Sequence, residues 1–348
     1  MLYQTPNPHG GDLYGRPVEL DFSVNTNPLG TPPAVMEAVR ESAGMLCRYP
    51  DPYCRELAAA LAEYEGVPED WVLCGNGAAE LIYAYCRAIG AKTALVTAPT
   101  FSEYAAALEA EGCWVLSHPL READRFDVTG AFLWTLEATP AEAVFLCNPN
   151  NPTGRLIRGG LLEEICGLCR DRGIRLFVDE CFLELSDGGR DASLAKRLAE
   201  FPGLFLLKAF TKTYGMAGLR LGYCLSAGKA LLAKMSRMTQ PWNVSLPAQR
   251  AGMAALGEGE FLQRSRELIQ EERPWLTERL EKLGFQVCPS QANYLLLKSG
   301  RELAGPLLER GILIRDCSNY GGLGPGWYRV AVKSRSENQM LIDALAEI

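Results

Sequence analysis

Seven short apolar runs, each closed by a turn or polar residue, recur between residues 71 and 226: "WVLCG" (71–75), "TALVTAP" (93–99), "WVLSHPL" (114–120), "AVFLCNP" (143–149), "RLFVDE" (175–180), "LFLLKAF" (204–210) and "RLGYCLS" (220–226). Runs of this length that do not alternate polar with apolar read as strands buried on both faces. Between several of them lie stretches with helical periodicity, such as "GAAELIYAYCRAIG" and "RGGLLEEICGLCRDRG". That rhythm predicts an α/β fold, a mostly parallel sheet sandwiched by helices, over residues 31–235. After Pro241 a long helical region leads to the strand candidates "FQVCPS", "YLLLK", "GILIRDC" and "YRVAV", so residues 236–348 are expected to form a smaller α+β domain. The Pro-, Gly- and Asn-rich residues 1–30 are expected to cross between the two and pack on the small domain and the site.

Composition removes several functions. The 348 residues are 48% hydrophobic, enough for a large core, and 35 basic against 42 acidic side chains leave a formal charge of −7 without long like-charged blocks. Nucleic acid is therefore not an expected partner. No stretch approaches the roughly 18 apolar residues of a membrane helix, and the start lacks a secretion pattern, so a cytoplasmic location is expected. The twelve cysteines are scattered through apolar segments. The one C-x-x-C, Cys166–Cys169, sits in a helical pattern without a second pair at zinc spacing, so these thiols read as small buried hydrophobes. With only His9 and His118, the chain has little material for a His-based metal site, and no metal is expected.

In open α/β sheets ligands collect outside the carboxyl ends of the strands. Those ends read Gly75-Asn76-Gly77, Pro99-Thr100-Phe101, Asn148 to Gly154 ("NPNNPTG"), Asp179-Glu180 and Thr211-Lys212. "CGNGAAE" follows a strand and opens a helix, which makes an anion seat from backbone N–H groups. It is not a dinucleotide fingerprint, because Glu80 occupies the place of the third glycine. Lys212 lies just past an apolar strand, with Arg220 eight residues on. A lysine at the edge of a dry site loses its proton more readily and can attack a carbonyl carbon.

These segments resemble the fold-type I, pyridoxal-phosphate (PLP) enzymes of the aminotransferase class I/II superfamily, over essentially the whole length. The resemblance implies that Lys212 carries the cofactor as a Schiff base. It also implies that Asp179, 212 − 179 = 33 residues earlier, pairs with the pyridine nitrogen. Asn151 would donate to the ring hydroxyl oxygen, and Phe101 would stack on the ring with Tyr104 as a neighbour. The amides of Gly77 and Ala78, the hydroxyl of Thr211 and the guanidinium of Arg220 would hold the phosphate. Tyr49, from a partner subunit, would complete that cradle, which implies a homodimer with shared sites. Arg329 in "WYRVAV" falls where the family keeps an arginine for the substrate carboxylate. A second arginine, Arg315, on the preceding strand end suggests a substrate with two anionic groups, such as a phosphorylated amino acid or amine.

Within the superfamily the sequence is similar to the histidinol-phosphate aminotransferases and to the threonine-phosphate decarboxylases of cobalamin biosynthesis. "HGGDLYGRPVELDFSVNTNPLG", "QPWNVS" and "IRDCSNYGGLGPGWYRVAV" resemble the decarboxylases. By that likeness His9, Gly10 and Asn25 would bind the substrate phosphate or close over it, with turn chemistry before Pro28 as the other reading of Asn25 and Asn27. The aminotransferases commonly read Asp-Glu-Ala-Tyr where this chain has Asp179-Glu180-Cys181-Phe182, and Phe182 cannot donate the tyrosine's hydrogen bond. The resemblance thus implies decarboxylation of L-threonine O-3-phosphate to aminopropanol phosphate. Transamination of the histidinol-phosphate type is the alternative, and a cofactor-free binding module of the same fold a distant third. Glu180 is expected to support a local turn or charge network.

Overall fold

The computed structural model describes residues 9–15 and 17–348; the first eight residues and Arg16, part of the expected N-terminal segment, lie outside the described residues. The chain first forms a two-residue strand, β1 (Leu20–Asp21), and then builds a seven-stranded sheet. Its strands are β2 (Val72–Gly75), β3 (Thr93–Ala98), β4 (Trp114–Pro119), β5 (Ala143–Cys147), β6 (Arg175–Asp179), β7 (Leu204–Ala209) and β8 (Gly222–Leu225), in the order β2-β8-β7-β6-β5-β3-β4. The pairs from β7 to β4 are parallel, and β8 runs antiparallel to both of its neighbours. The reversal occurs in residues 210–221, the segment that carries Lys212.

Strands β5, β6 and β7 are buried along almost their whole length, as their apolar runs require. Phe145, Phe177 and Phe205 occupy one register across them, with ring centroids 4.6 and 5.1 Å apart in stacked pairs. Tyr85, from the helix Gly77–Ile89, closes on all three rings. This aromatic ladder buries a large apolar area two residues upstream of Cys147 and Asp179, so the strand ends that face the site rest on a close-packed base. β4 departs from the expectation of burial on both faces: it is the sheet's edge, His118 alone of its six residues is buried, and Trp114 is 67% exposed. One side of an edge strand has no neighbour to cover it.

The C-terminal strands form a second, antiparallel sheet. It comprises β9 (Gln286–Val287), β10 (Tyr294–Lys298), β12 (Arg315–Asp316) and β13 (Trp327–Ala331), in the order β12-β13-β10-β9. The intervening β11 (Ile312–Leu313) pairs instead, in parallel, with β1. Leu276 and Leu280 of the helix Gly259–Lys282 and Leu341 of the helix Arg335–Ala346 fill its core.

The stretch from Leu20 to Asn27 links the C-terminal strands to the helical turn that follows β7. Phe22 N–H donates to Leu313 O at 2.7 Å, and Ala331 N–H donates to Phe22 O at 2.9 Å. Five residues on, Asn27 N–H donates to the carbonyl of Lys212 at 2.9 Å, and its side-chain amide donates to Thr213 O at 2.8 Å. Asn27 Oδ1 also accepts from Leu29 N at 2.9 Å, so this asparagine carries the turn chemistry before Pro28.

Of the twelve cysteines, Cys47 is exposed and the others are buried; all are free thiols. Burial pushes Cys166 and Cys169 up to about 12, which makes them inert apolar filling. Among the described residues no group of side chains could hold a metal ion, and no helix is long and apolar enough to cross a membrane.

Candidate active site

A cavity of about 230 Å³ opens at the carboxyl ends of β5, β6 and β7. Lys212 and Asp179 both line it. The side-chain period of two in β6 turns Asp179 into the cavity and Glu180 to the other side of the sheet. Lys212 sits in the single helical turn Phe210–Thr213 that follows β7, with Nζ 5.8 Å from the centroid of the Phe182 ring. Loss of solvent, and then the positive charge of Arg329 and of Arg220, lowers its ammonium to about 8. The neutral amine is the nucleophile and exists above that value. Covalent uptake of PLP by the cofactor-free protein is therefore expected to speed up as pH rises through about 8, rather than through the ordinary lysine range above 10. Borohydride trapping at a series of pH values, with the label mapped to Lys212, checks this.

The buried Asp179 is held at both oxygens. Oδ1 accepts from Cys181 N–H at 2.9 Å, and Oδ2 accepts from the Tyr104 hydroxyl at 2.6 Å. Burial raises its proton affinity, while the hydrogen bonds from Cys181 and Tyr104 and the charge of Lys212 oppose that. Tyr104 thus lies in the cavity wall as expected, but its hydroxyl is spent on Asp179. Phe101, three residues earlier, lines the cavity itself and meets the Tyr104 ring edge-on at 5.6 Å.

Opposite the acid, the loop 148–154 is fastened by its own asparagines. Asn148 Oδ1 accepts from Ile157 N at 2.8 Å, and Asn150 Nδ2 donates to Pro99 O and Thr153 Oγ1, each at 3.0 Å. This leaves Asn151 facing the cavity. Its Oδ1 accepts from Arg329 Nη1 at 2.5 Å and lies 3.4 Å from the Tyr320 hydroxyl, so the amide nitrogen is the group left to donate.

An anion cradle closes the third side. The helix Gly77–Ile89 begins here, with Gly77 at φ +77° and the Arg220 guanidinium directly over it; a Cβ on Gly77 would stand 2.6 Å from Arg220 Nη2. A Cβ on Gly222 would likewise meet Ala78 N at 2.6 Å. Ala78, Thr211 and Arg220 line the cavity, whereas Gly77 forms the wall behind Arg220. Glu80 does not face the cradle: it accepts from Asn76 N at 2.7 Å and from Asn243 Nδ2 at 2.6 Å.

The N-terminal segment and the second sheet complete the wall. His9, Gly10 and Asn25 line the cavity, His9 with Nε2 2.8 Å from Glu103 Oε1. Neither amide atom of Asn25 has a hydrogen-bond partner, although the residue is only 1% exposed. Arg315 and Arg329 are direct partners in the β12–β13 register, and both are buried at the cavity. Arg329 Nη2 donates to Ser23 O at 2.6 Å, and Arg315 Nη2 donates to Asn319 Oδ1 at 2.8 Å. Like charges directly opposed across strands repel, and an anion between them relieves this. Tyr49 lies elsewhere, 78% exposed, its ring 4.6 Å from that of Trp242.

Two features escaped sequence reasoning. Tyr320, in the turn before β13, lines the cavity beneath the Arg315 guanidinium, 5.1 Å from its ring centroid. Behind the site, Lys208 of β7 is 4% exposed, with Nζ 3.2 Å from Glu65 and 3.3 Å from Glu180. Glu180 also accepts from Ser193 Oγ at 2.6 Å and Leu194 N at 3.0 Å, and Glu65 accepts from the Tyr223 hydroxyl at 2.6 Å. Burial alone would push Lys208 down, but Glu180, Glu65 and Glu184 together raise it, so it stays an ammonium. Glu180 thus belongs to a buried charge network and not to the cavity. A lysine inside a run as apolar as "LFLLKAF" is the signal that could have revealed it.

The arrangement fits PLP: a lysine of lowered proton affinity, a buried carboxylate for a cationic ring nitrogen, an amide donor, an aromatic face and a glycine-walled seat for a phosphate. Fold and site together define an enzyme whose chemistry centres on a lysine and a phosphorylated ring cofactor. The chain belongs to the aminotransferase class I and II family, which it matches over residues 17–345. It is 38% identical over 334 residues to the threonine-phosphate decarboxylase of Salmonella typhimurium, covering 94% of this chain and 91% of that one. It is 33% identical over 343 residues to a histidinol-phosphate aminotransferase of Anaeromyxobacter sp., covering 96% and 92%. In three dimensions it is similar to the histidinol-phosphate aminotransferase of Clostridium acetobutylicum, with a TM-score of 0.87 at 29% identity over 94% of this chain and 98% of that one.

Proposed function

We propose that the chain is a PLP-dependent decarboxylase of L-threonine O-3-phosphate, releasing carbon dioxide and forming aminopropanol phosphate. The observation that carries this reading is the pair of buried arginines, Arg315 and Arg329, opposed across β12 and β13 beside the unpartnered amide of Asn25. A small substrate with a carboxylate and a phosphate neutralises both guanidiniums and satisfies that amide. Likeness to the Salmonella decarboxylase supports the same choice, as does Phe182, which presents no hydroxyl to the cavity.

Lys212 would anchor the cofactor; Asp179 would keep a proton on its ring nitrogen; Asn151 would donate to its ring oxygen; and Ala78, Thr211 and Arg220 would hold its phosphate. When bound, PLP supplies an electron sink for the bond broken at the substrate's Cα. The anchors Arg315, Arg329 and Asn25 would decide which bond that is by how they orient the substrate's carboxylate and phosphate, and the Lys212 amine would return a proton to Cα. A second copy of the chain would bring its exposed Tyr49 to the phosphate, making the enzyme a homodimer with shared sites.

Incubation of the holoenzyme with threonine phosphate is expected to release carbon dioxide and yield aminopropanol phosphate. Transfer of the amino group to a 2-oxo acid with no gas would overturn this reading in favour of an aminotransferase of the histidinol-phosphate type, which likeness to the Anaeromyxobacter protein supports.

A further inference from the structure

We propose that Tyr104 is a positioning residue that acts through Asp179: its hydroxyl holds the acid as a carboxylate, so that the proton shared with the cofactor's ring nitrogen stays on the nitrogen. The inference rests on the PLP reading above and extends it to a side chain that does not itself bind the ring nitrogen.

The geometry begins with the 2.6 Å contact between Tyr104 Oη and Asp179 Oδ2. A phenol donating to a carboxylate over that distance makes a charge-assisted hydrogen bond, among the stronger kinds in a protein interior. Tyr104 is fully buried, and its O–H is given to Asp179, with the Cys147 thiol as its other polar neighbour. Its ring is fixed edge-on to Phe101 and lies 6.0 Å from Phe145 and 5.7 Å from Phe177, so the hydroxyl has little freedom to leave the acid. One side chain therefore touches the group that faces the ring nitrogen and also the aromatic that faces the ring.

The other groups around Asp179 make the phenol decisive. They are Lys212 after β7, Cys147 at the end of β5, Cys181 just past β6 and Tyr294 on β10. Burial keeps Cys147, Cys181 and Tyr294 neutral by pushing each of them up. Lys212 is the one cation of this set, and its charge is absent whenever it acts as a neutral amine. What then stabilises the carboxylate is hydrogen bonding, from Cys181 on Oδ1 and from Tyr104 on Oδ2. Without the phenol the acid becomes more basic and draws the proton from the nitrogen. The ring then loses its positive charge and with it much of its capacity to accept electrons.

The test compares wild type, Tyr104→Phe and a protein with 3,5-difluorotyrosine at position 104, each loaded with PLP labelled with ¹⁵N in the ring. The difluorinated phenol keeps the shape and donates more strongly. The wild-type ¹⁵N shift is expected to report a protonated nitrogen, Tyr104→Phe to move it towards the neutral pyridine value, and difluorotyrosine to raise the pH at which the proton is lost. Alongside, kcat of Tyr104→Phe should fall about tenfold to a hundredfold with KM little changed. Variants that bind PLP with the wild-type nitrogen shift and titration would overturn the inference while leaving the PLP reading intact. A wild-type chain that takes up no PLP would overturn both. If Tyr104→Phe does not fold, the difluorotyrosine protein decides alone: a raised deprotonation pH supports the inference, and an unchanged one overturns it.

Discussion

Replacement of Lys212 by alanine is expected to lower kcat by about 10⁴-fold or more, because in the proposed function one amine serves both as the covalent anchor and as the acid–base group at Cα. Lys212→Arg should fail equally, since a guanidinium neither loses its proton nor forms the imine. Steady-state rates of the proposed carbon dioxide release measure the loss. The fold should survive. Lys212 is lowered to about 8 in the folded protein against 10.5 for an ordinary lysine, so folding works against its charged form. That penalty is fully present below pH 8 and fades as pH rises towards 10.5. The alanine protein is accordingly expected to be at least as stable as wild type at pH 7, and a urea titration at pH 7 and pH 10 should show its advantage shrinking at the higher pH.

The second large effect lies behind the site. Lys208→Met should destabilise the cofactor-free protein by about 3–5 kcal/mol, the range for removing one partner of a buried ion pair. Methionine matches the lysine stem, so packing is nearly conserved, but Glu65 and Glu180 lose the ammonium 3.2 and 3.3 Å away. Glu184 is already pushed up by burial and can share a proton; Glu180 is tied to Ser193 and Leu194 and cannot turn to water. Adding Glu180→Gln should recover part of the loss, since it removes one of the stranded charges, and a double-mutant cycle of urea midpoints reads that coupling. A loss below 1 kcal/mol for Lys208→Met would show that the network is not the support described here.

Much of the site was legible because strand ends are. Asp179 and Lys212 follow apolar runs too short and too unbroken to be anything but buried strands, and the sheet rule places their ends on one side. The cradle under Arg220 followed from glycines between a strand and a helix. Asn25 and Asn27, identical in type and two residues apart, were harder to part: both fit turn chemistry, and only the fold shows Asn27 making the turn while Asn25 is left facing the cavity. Tyr104 entered as a neighbour of Phe101 through the family resemblance alone. Its decisive contact is with a residue 75 positions away, which no local pattern encodes. Lys208 carried a signal, a charge in a buried run, but its partners come from residues 65 and 180. β4 was misjudged because composition gives a run's apolarity and not its place at the rim of the sheet.

The stretch from Leu20 to Asn27 has a consequence for how this enzyme comes into being. Its partners, Ile312 and Leu313 in β11, Ala331 and the Arg329 side chain, lie about 300 residues further on; Arg329 and Ser23 are 306 apart. On the ribosome, this stretch emerges about 300 residues ahead of the strands it pairs with and must wait for them, while the large sheet between them is free to assemble. Until residues 312–331 have emerged, Arg315 and Arg329 are missing from the cavity and the stretch from Leu20 to Phe22 lacks its strand partners. A growing chain can therefore possess Lys212 and the glycine-walled cradle before it possesses the two arginines that complete the cavity.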